Sequence, residues 1–130
     1  MAGLEPGLTG EVEKRVAEDD TAVRWGSGLV PVFGTPSLVG LMENAAVEAL
    51  KGHLPAERTS VGGHMDVRHL APTPVGMHVR ARAELVEIDG QRLVFTIEAW
   101  DDAERIGEAS HTRFVIEQQR FLERAESKRA

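Results

Sequence analysis

Residues 35–52, TPSLVGLMENAAVEALKG, restrict what this chain folds into more than any other stretch. Thr35 is an N-cap by residue type, with a side-chain oxygen that accepts from a free amide of the first turn. Pro36 takes the first helical position, where a missing N–H costs nothing, and Gly52 supplies a left-handed stop. At about 100° per residue, Ser37, Asn44, Glu48 and Lys51 gather on one side. Leu38, Val39, Met42, Ala45, Ala46, Ala49 and Leu50 fill a wide arc opposite them. A helix this apolar needs a cover. Glu43 breaks the pattern, falling between Val39, Val47 and Leu50 inside the apolar arc. A carboxylate entering a buried face is costly unless a partner or a reaction uses it.

The rest of the chain reads as the cover. Residues 8–18 alternate as a strand, with Leu8, Val12 and Val16 on one side. Asp19-Asp20-Thr21 caps a short segment, 22–26, carrying Trp25. The linker 27–34 is apolar at Leu29, Val30, Val32 and Phe33, which is unusual for an exposed loop and places it over a pocket or partner surface. Past the helix, 59–70 is a strand bulged at Gly62-Gly63, and the prolines of 71–74 end it. Residues 75–88 and 92–100 alternate around Asp89-Gly90, a hairpin signal. Residues 105–117 make a last strand, and the tail from Gln118 is charged and helix-prone. One antiparallel sheet of about five strands wrapped around one long helix is the economical α+β arrangement, the hotdog fold, whose sheet edges pair across two-fold axes.

At 130 residues the chain is expected to be a single domain, 1–130, with residues 1–7 and 119–130 loosely ordered. A net charge of −6 argues against binding a nucleic-acid backbone, and no apolar run reaches bilayer length. The N-terminus lacks a signal-peptide pattern, so a cytoplasmic protein is expected. With no cysteine, thiolate chemistry and cysteine metal sites are excluded. No metal is expected either, because His69 has the opposite strand parity to His64 and Asp66.

Parity also selects the chemical candidates. Met65, Val67 and His69 share the face that meets the helix. Glu43 and His69 are therefore two titratable residues turned toward one interior, which is the make-up of an acid–base dyad. Thr35 adds a hydroxyl, and the start of the helix adds amides able to hold an anion or a developing oxyanion. Gly62 and Gly63 permit close backbone approach to a substrate. His111 and Arg113 share a face of the last strand, and Leu29 and Phe33 stand before the helix. Each has a plainer reading: Thr35 as a cap alone, Glu43 reaching past Val47 to solvent, His69 as a satisfied core residue, the glycines as a simple bulge.

Four segments carry a resemblance: TPSLVGLMENA, VGGHMDVRHLAPTPVGM, RARAELVEIDGQRL and ERIGEASHTRFVI. Together they resemble the fluoroacetyl-CoA-thioesterase-like family of hotdog proteins over residues 32–116. The resemblance implies that Thr35, Glu43 and His69 are catalytic, with Gly62 lining the acyl pocket. The residue reading adds Gly63, Leu29, Phe33 and Arg113 as substrate-binding positions. The resemblance implies a homodimeric hydrolase of small or medium acyl-CoA thioesters, with dimers able to pair into tetramers, and no cofactor beyond the CoA of the substrate. Fluoroacetyl-CoA specificity in that family goes with an aromatic lid just upstream of the helix. This chain has Leu29 near that position, so a more general acyl-CoA is expected. A hotdog enoyl-CoA hydratase and a non-catalytic acyl-CoA binding module are the alternatives. The hydratase reading is the weaker, since 35–37 holds neither the Asp nor the His that such enzymes place at the helix start.

Overall fold

The computed structural model describes residues 3–129, so residues 1–2 and 130 of the expected loose termini lie outside the described residues. The elements are β1 (Thr9–Arg15), α1 (Ala22–Trp25), α2 (Thr35–Leu50), β2 (Arg58–His69), β3 (His78–Asp89), β4 (Arg92–Asp101), β5 (Arg105–Glu117) and α3 (Gln118–Glu126). The five strands form one antiparallel sheet in the order β1-β3-β4-β5-β2. β1 and β2 are its edges, and α2 lies across its concave face. This is the hotdog arrangement expected from the order of the apolar patterns.

The core follows from those patterns. Along β3, Val79, Ala81, Ala83 and Leu85 face inward, and along β4 Leu93, Phe95, Ile97 and Ala99 do the same; all are buried. They meet Leu38, Leu41, Met42, Ala45, Ala46 and Ala49 of α2. Each fully buried Leu, Ile or Phe removes enough apolar area from water to contribute about 1.5–3 kcal/mol. The alanines let the two layers approach closely. At Gly10 of β1 the approach is closest: an added Cβ would run into the backbone of Ala45 and Ala49.

The local boundaries differ from the sequence reading in three places. The N-cap of α2 is Gly34, in extended conformation, and Thr35 is the first helical residue with no cap hydrogen bond. Its hydroxyl is thereby free to face another element. Gly52 does adopt the left-handed φ of +81° expected of the stop. β3 begins at His78 rather than Val75, because Pro74 and Gly76 (φ +97°) turn the chain and leave Val75 exposed. The first strand stops at Arg15, short of Glu18, because a 3-10 turn takes up Glu18–Asp20, with Asp20 Oδ2 accepting from the Ala17 N–H at 2.8 Å. The tail from Gln118 to Glu126 forms α3, none of whose residues is buried.

The apolar arc of α2 is also not wholly covered. Val47 is 44% exposed and Val39 only half-buried. With Glu43 between them at i, i+4 spacing, they form a row that looks out past edge strand β2.

Substituting Gly10 with Ala should destabilise the protein by about 1–3 kcal/mol, since the new methyl meets helix backbone rather than a flexible side chain. Urea denaturation of the two proteins measures the difference, and an unchanged midpoint would contradict this packing.

Candidate functional site

A single extra residue in β2 organises the site. β2 pairs with β5 in register from Arg58 to Gly62, and the register shifts between Gly62 and His64. Without that bulge, Gly62 and His69 would lie on opposite faces, because they are an odd number of residues apart. The bulge absorbs one residue and brings both to the helix side. Gly63, the extra residue, turns the other way, where an added Cβ would strike the Phe114 ring. Close approach of backbone is therefore available at Gly62 and not at Gly63. A Cβ on Gly62 would come within 2.8 Å of Glu43 Oε2, 3.3 Å of His111 Cε1 and 3.5 Å of Arg113 Nη1.

Those contacts belong to a buried polar cluster under the bulge. Arg113 is 5% exposed and His111 1% exposed. The Arg113 guanidinium donates from Nε to Ser60 Oγ at 2.8 Å, from Nη2 to the Ser60 carbonyl at 3.0 Å, and from Nη1 to His111 Nε2 at 3.1 Å. Nη1 also lies 3.6 Å from Glu43 Oε2. The remaining ring nitrogen of His111, Nδ1, sits 2.7 Å from the His64 carbonyl. A carbonyl only accepts, so Nδ1 carries the proton and Nε2 is the acceptor for Arg113. His111 is thus held as a neutral imidazole. Burial is the main cause lowering its pKa, with the Arg113 charge adding to it; the His64 carbonyl and Glu43 oppose. Burial also lowers the Arg113 pKa, and the Glu43 carboxylate opposes that.

The second half of the site is at the start of α2. Thr35 Oγ1 and His69 Nδ1 are hydrogen-bonded at 2.8 Å. The other imidazole nitrogen, His69 Nε2, is buried and has no partner in the described residues. Burial lowers the pKa of His69. The pair is a hydroxyl bonded to an imidazole whose opposite nitrogen is free to take or give a proton.

The structure does not bring Glu43 and His69 together within one chain. Glu43 faces Arg113, and His69 faces Thr35. Thr35 and Glu43 are eight residues apart on one helix, about 12 Å along its axis. Two half-sites replace the expected contact pair. Phe33, expected beside the pocket, is 1% exposed in the core, and Leu29 is 96% exposed on the preceding loop. Of the arginines on the sheet, Arg80 is paired with Glu11 and stacked over Trp100, and Arg92 is paired with Glu87. Ser60 was not singled out from the sequence. A serine on an exposed-looking strand carries no local signal, and its role as a double acceptor for Arg113 depends on the β2–β5 register.

Comparison with known proteins follows from this geometry. A family model described as fluoroacetyl-CoA-specific thioesterase (FlK) matches residues 16–119. The chain belongs to this family. The fluoroacetyl-CoA thioesterase of Streptantibioticus cattleyicolor is 40% identical over 90 residues, covering 69% of this chain and 65% of that protein. The match thus spans just under two thirds of that relative's length. A mutant of FlK in complex with fluoroacetate and CoA superposes with a TM-score of 0.84 at 31% identity, covering 91% of this chain and 99% of that one. A hot-dog-like protein from Thermanaerovibrio acidaminovorans superposes with a TM-score of 0.88 at 25% identity, covering 98% of this chain and 94% of that one. The hotdog fold of the FlK family is therefore established for this chain, with Gly62 and His69 on the helix-facing side of the sheet and Thr35 and Glu43 on the helix.

Both buried imidazoles have pKa values lowered by folding, so the unfolded chain binds more protons as pH falls below the ordinary histidine value of about 6.5. Their stabilising contribution is complete above that pH and is lost as pH falls through the lowered folded-state values. Urea midpoints should therefore drop between pH 7.5 and pH 5.5, and His111→Gln should flatten part of that decline. A midpoint independent of pH over this range would contradict the neutral, buried assignment.

Proposed function

We propose that this protein hydrolyses small or medium acyl-CoA thioesters to the carboxylate and CoA. The observation that carries the reading is the pair of half-sites: a buried arginine holding Glu43 beside Gly62, and a Thr35–His69 pair with an unpartnered imidazole nitrogen. FlK-family membership and a related protein that holds CoA support it. A cytoplasmic setting is part of the same proposal, because a CoA thioester is the substrate.

Each group has a chemical task. The thioester carbonyl sits against Gly62, where the missing side chain leaves room, and backbone amides at the bulge or the helix start polarise it. Glu43 supplies the carboxylate that activates water or attacks the carbonyl carbon. Arg113 Nη1, 3.6 Å from Glu43 Oε2, orients that carboxylate toward the substrate. His69 takes the proton through Nε2 and returns it to the departing CoA sulfur, while Thr35 orients the ring from Nδ1. The C–S bond breaks, a C–O bond forms, and the proton of the attacking water ends on the thiolate. Phe33 is packed in the core and Leu29 is the residue on the loop, so no aromatic lid is supplied from residue 29 or 33. A broader acyl range than fluoroacetyl-CoA is the reading that fits.

One chain does not place Glu43 next to His69, and this favours a homodimer. β2 is an edge with unpaired backbone groups, and the Val39–Glu43–Val47 row beside it is only partly covered. Antiparallel pairing of two β2 strands about a two-fold axis near Met65–Asp66 sets Gly62 of one copy opposite His69 of the other. Glu43 then faces the Thr35–His69 pair across the axis. Further pairing of dimers into tetramers is compatible with the outer sheet face.

Thiol release measured over a panel of acyl-CoA substrates tests the activity. Glu43→Gln and His69→Ala should each lose about 10²–10⁴-fold in turnover while remaining folded. Unchanged release from both would remove them from the mechanism. Mixing the two inactive variants under subunit exchange tests the shared site. Complementation should return about one quarter of wild-type sites at random pairing, whereas sites made within one chain would return none.

A further inference from the structure

We propose that the groove between α3 and the β2–β5 end of the sheet binds the 3′-phospho-ADP portion of coenzyme A. Arg58, Gln91, Glu117, Arg120, Phe121 and Arg124 line a groove of about 580 Å³ there. On a chain with net charge −6, three arginines from two elements converge on one cleft. None of the three is within salt-bridge distance of a carboxylate among the described residues. Most other arginines of the sheet are already neutralised, including Arg80, Arg92 and Arg105. Among the described residues, the one polar side-chain contact of Arg58 is a long one to Gln91 Oε1 at 3.5 Å. Phe121 is 43% exposed in the same groove. Unpaired guanidinium groups suit phosphate oxygens, and an exposed aromatic ring suits a purine face.

Position links this groove to the chemistry already described, and the inference rests on the thioesterase reading for its substrate. Arg58 also lines a second, smaller groove of about 260 Å³ with Val47, Lys51 and Ser60. Ser60 is the residue that anchors Arg113, and Val47 is one turn from Glu43. A lane therefore runs from Gly62 past Ser60 to Arg58, about 13 Å along the strand, and then into the arginine groove. That order matches an extended substrate: acyl group at Gly62, pantetheine arm along Ser60 and Val47, nucleotide phosphates at Arg58, Arg120 and Arg124. The rim carboxylate Glu117 would disfavour an anion bound on its side of the groove, which directs the phosphates toward α3.

Calorimetric titration of the full-length protein with CoA and with 3′,5′-ADP tests this without requiring turnover. The Arg120→Ala/Arg124→Ala double variant should weaken binding of both by about ten-fold or more, and Phe121→Ala should weaken both less. In thiol-release assays the double variant should raise KM for acyl-CoA similarly while kcat stays unchanged. KM for the matching acyl-pantetheine, which lacks the nucleotide, should not move. Equal binding by wild type and double variant overturns the proposal, as does an equal KM change on acyl-pantetheine. A lower oligomer mass of the double variant on sedimentation would also overturn it, by making α3 a subunit contact. If the wild type binds 3′,5′-ADP through these arginines but hydrolyses no acyl-CoA, the groove stands and the hydrolase reading fails.

Discussion

The arrangement depends on one extra residue in an edge strand. A β-strand alternates strictly, so two residues an odd distance apart cannot both face the same layer. Gly62 and His69 do so only because the register between β2 and β5 shifts by one between them. The bulge is possible where it is because Gly63 has no side chain to meet the Phe114 ring, and Gly62 none to meet Glu43. Two glycines side by side therefore do different work. One accommodates the bulge against the outer face of the sheet, and the other opens space in front of a carboxylate.

Beneath that space, the polar cluster shows how a charge is kept close to a core. Arg113 is almost fully buried, and each of its three nitrogens has a partner: two donations to Ser60, one to His111, and an ion pair at longer range to Glu43. Burying a guanidinium costs free energy that a partner at each nitrogen offsets. His111 takes part by being neutral, since a protonated ring could not accept from Arg113 while donating to the His64 carbonyl. The carbonyl belongs to the residue just after the bulge. The irregular backbone, the imidazole tautomer and the arginine orientation thus fix one another, and the Glu43 side chain is left 42% exposed.

In the proposed homodimer, the two half-sites and the incompletely covered apolar helix have one explanation. The sheet curls over Leu38, Met42 and Ala45, which are fully buried, but its edge at β2 stops short of the Val39–Glu43–Val47 row. A second copy paired on that edge would cover the valines and set its own imidazole toward the exposed carboxylate. Stability and chemistry would then draw on the same contact.

How much of this was legible in the letters differs residue by residue. The 35–52 pattern was sufficient to locate a central helix, since a stretch apolar over most of its circumference has to be enclosed, and the alternating 75–100 region with Asp89-Gly90 supplied the enclosing hairpin. Glu43 and His69 were legible as misplaced polar residues for the same reason. Their relation was not, because parity says which way a side chain points and nothing about how far along the helix its counterpart lies. Thr35 read as a cap by residue type, yet Gly34 is the cap and the threonine hydroxyl goes to His69. Phe33 read as a pocket residue from its apolar neighbours, although the adjoining Thr21–Phe33 bridge draws it into the core. Local sequence determined which segments pair and which faces are apolar, since those depend on short-range periodicity. Only the tertiary structure decided which polar groups meet, because that rests on a one-residue register shift between strands some fifty positions apart.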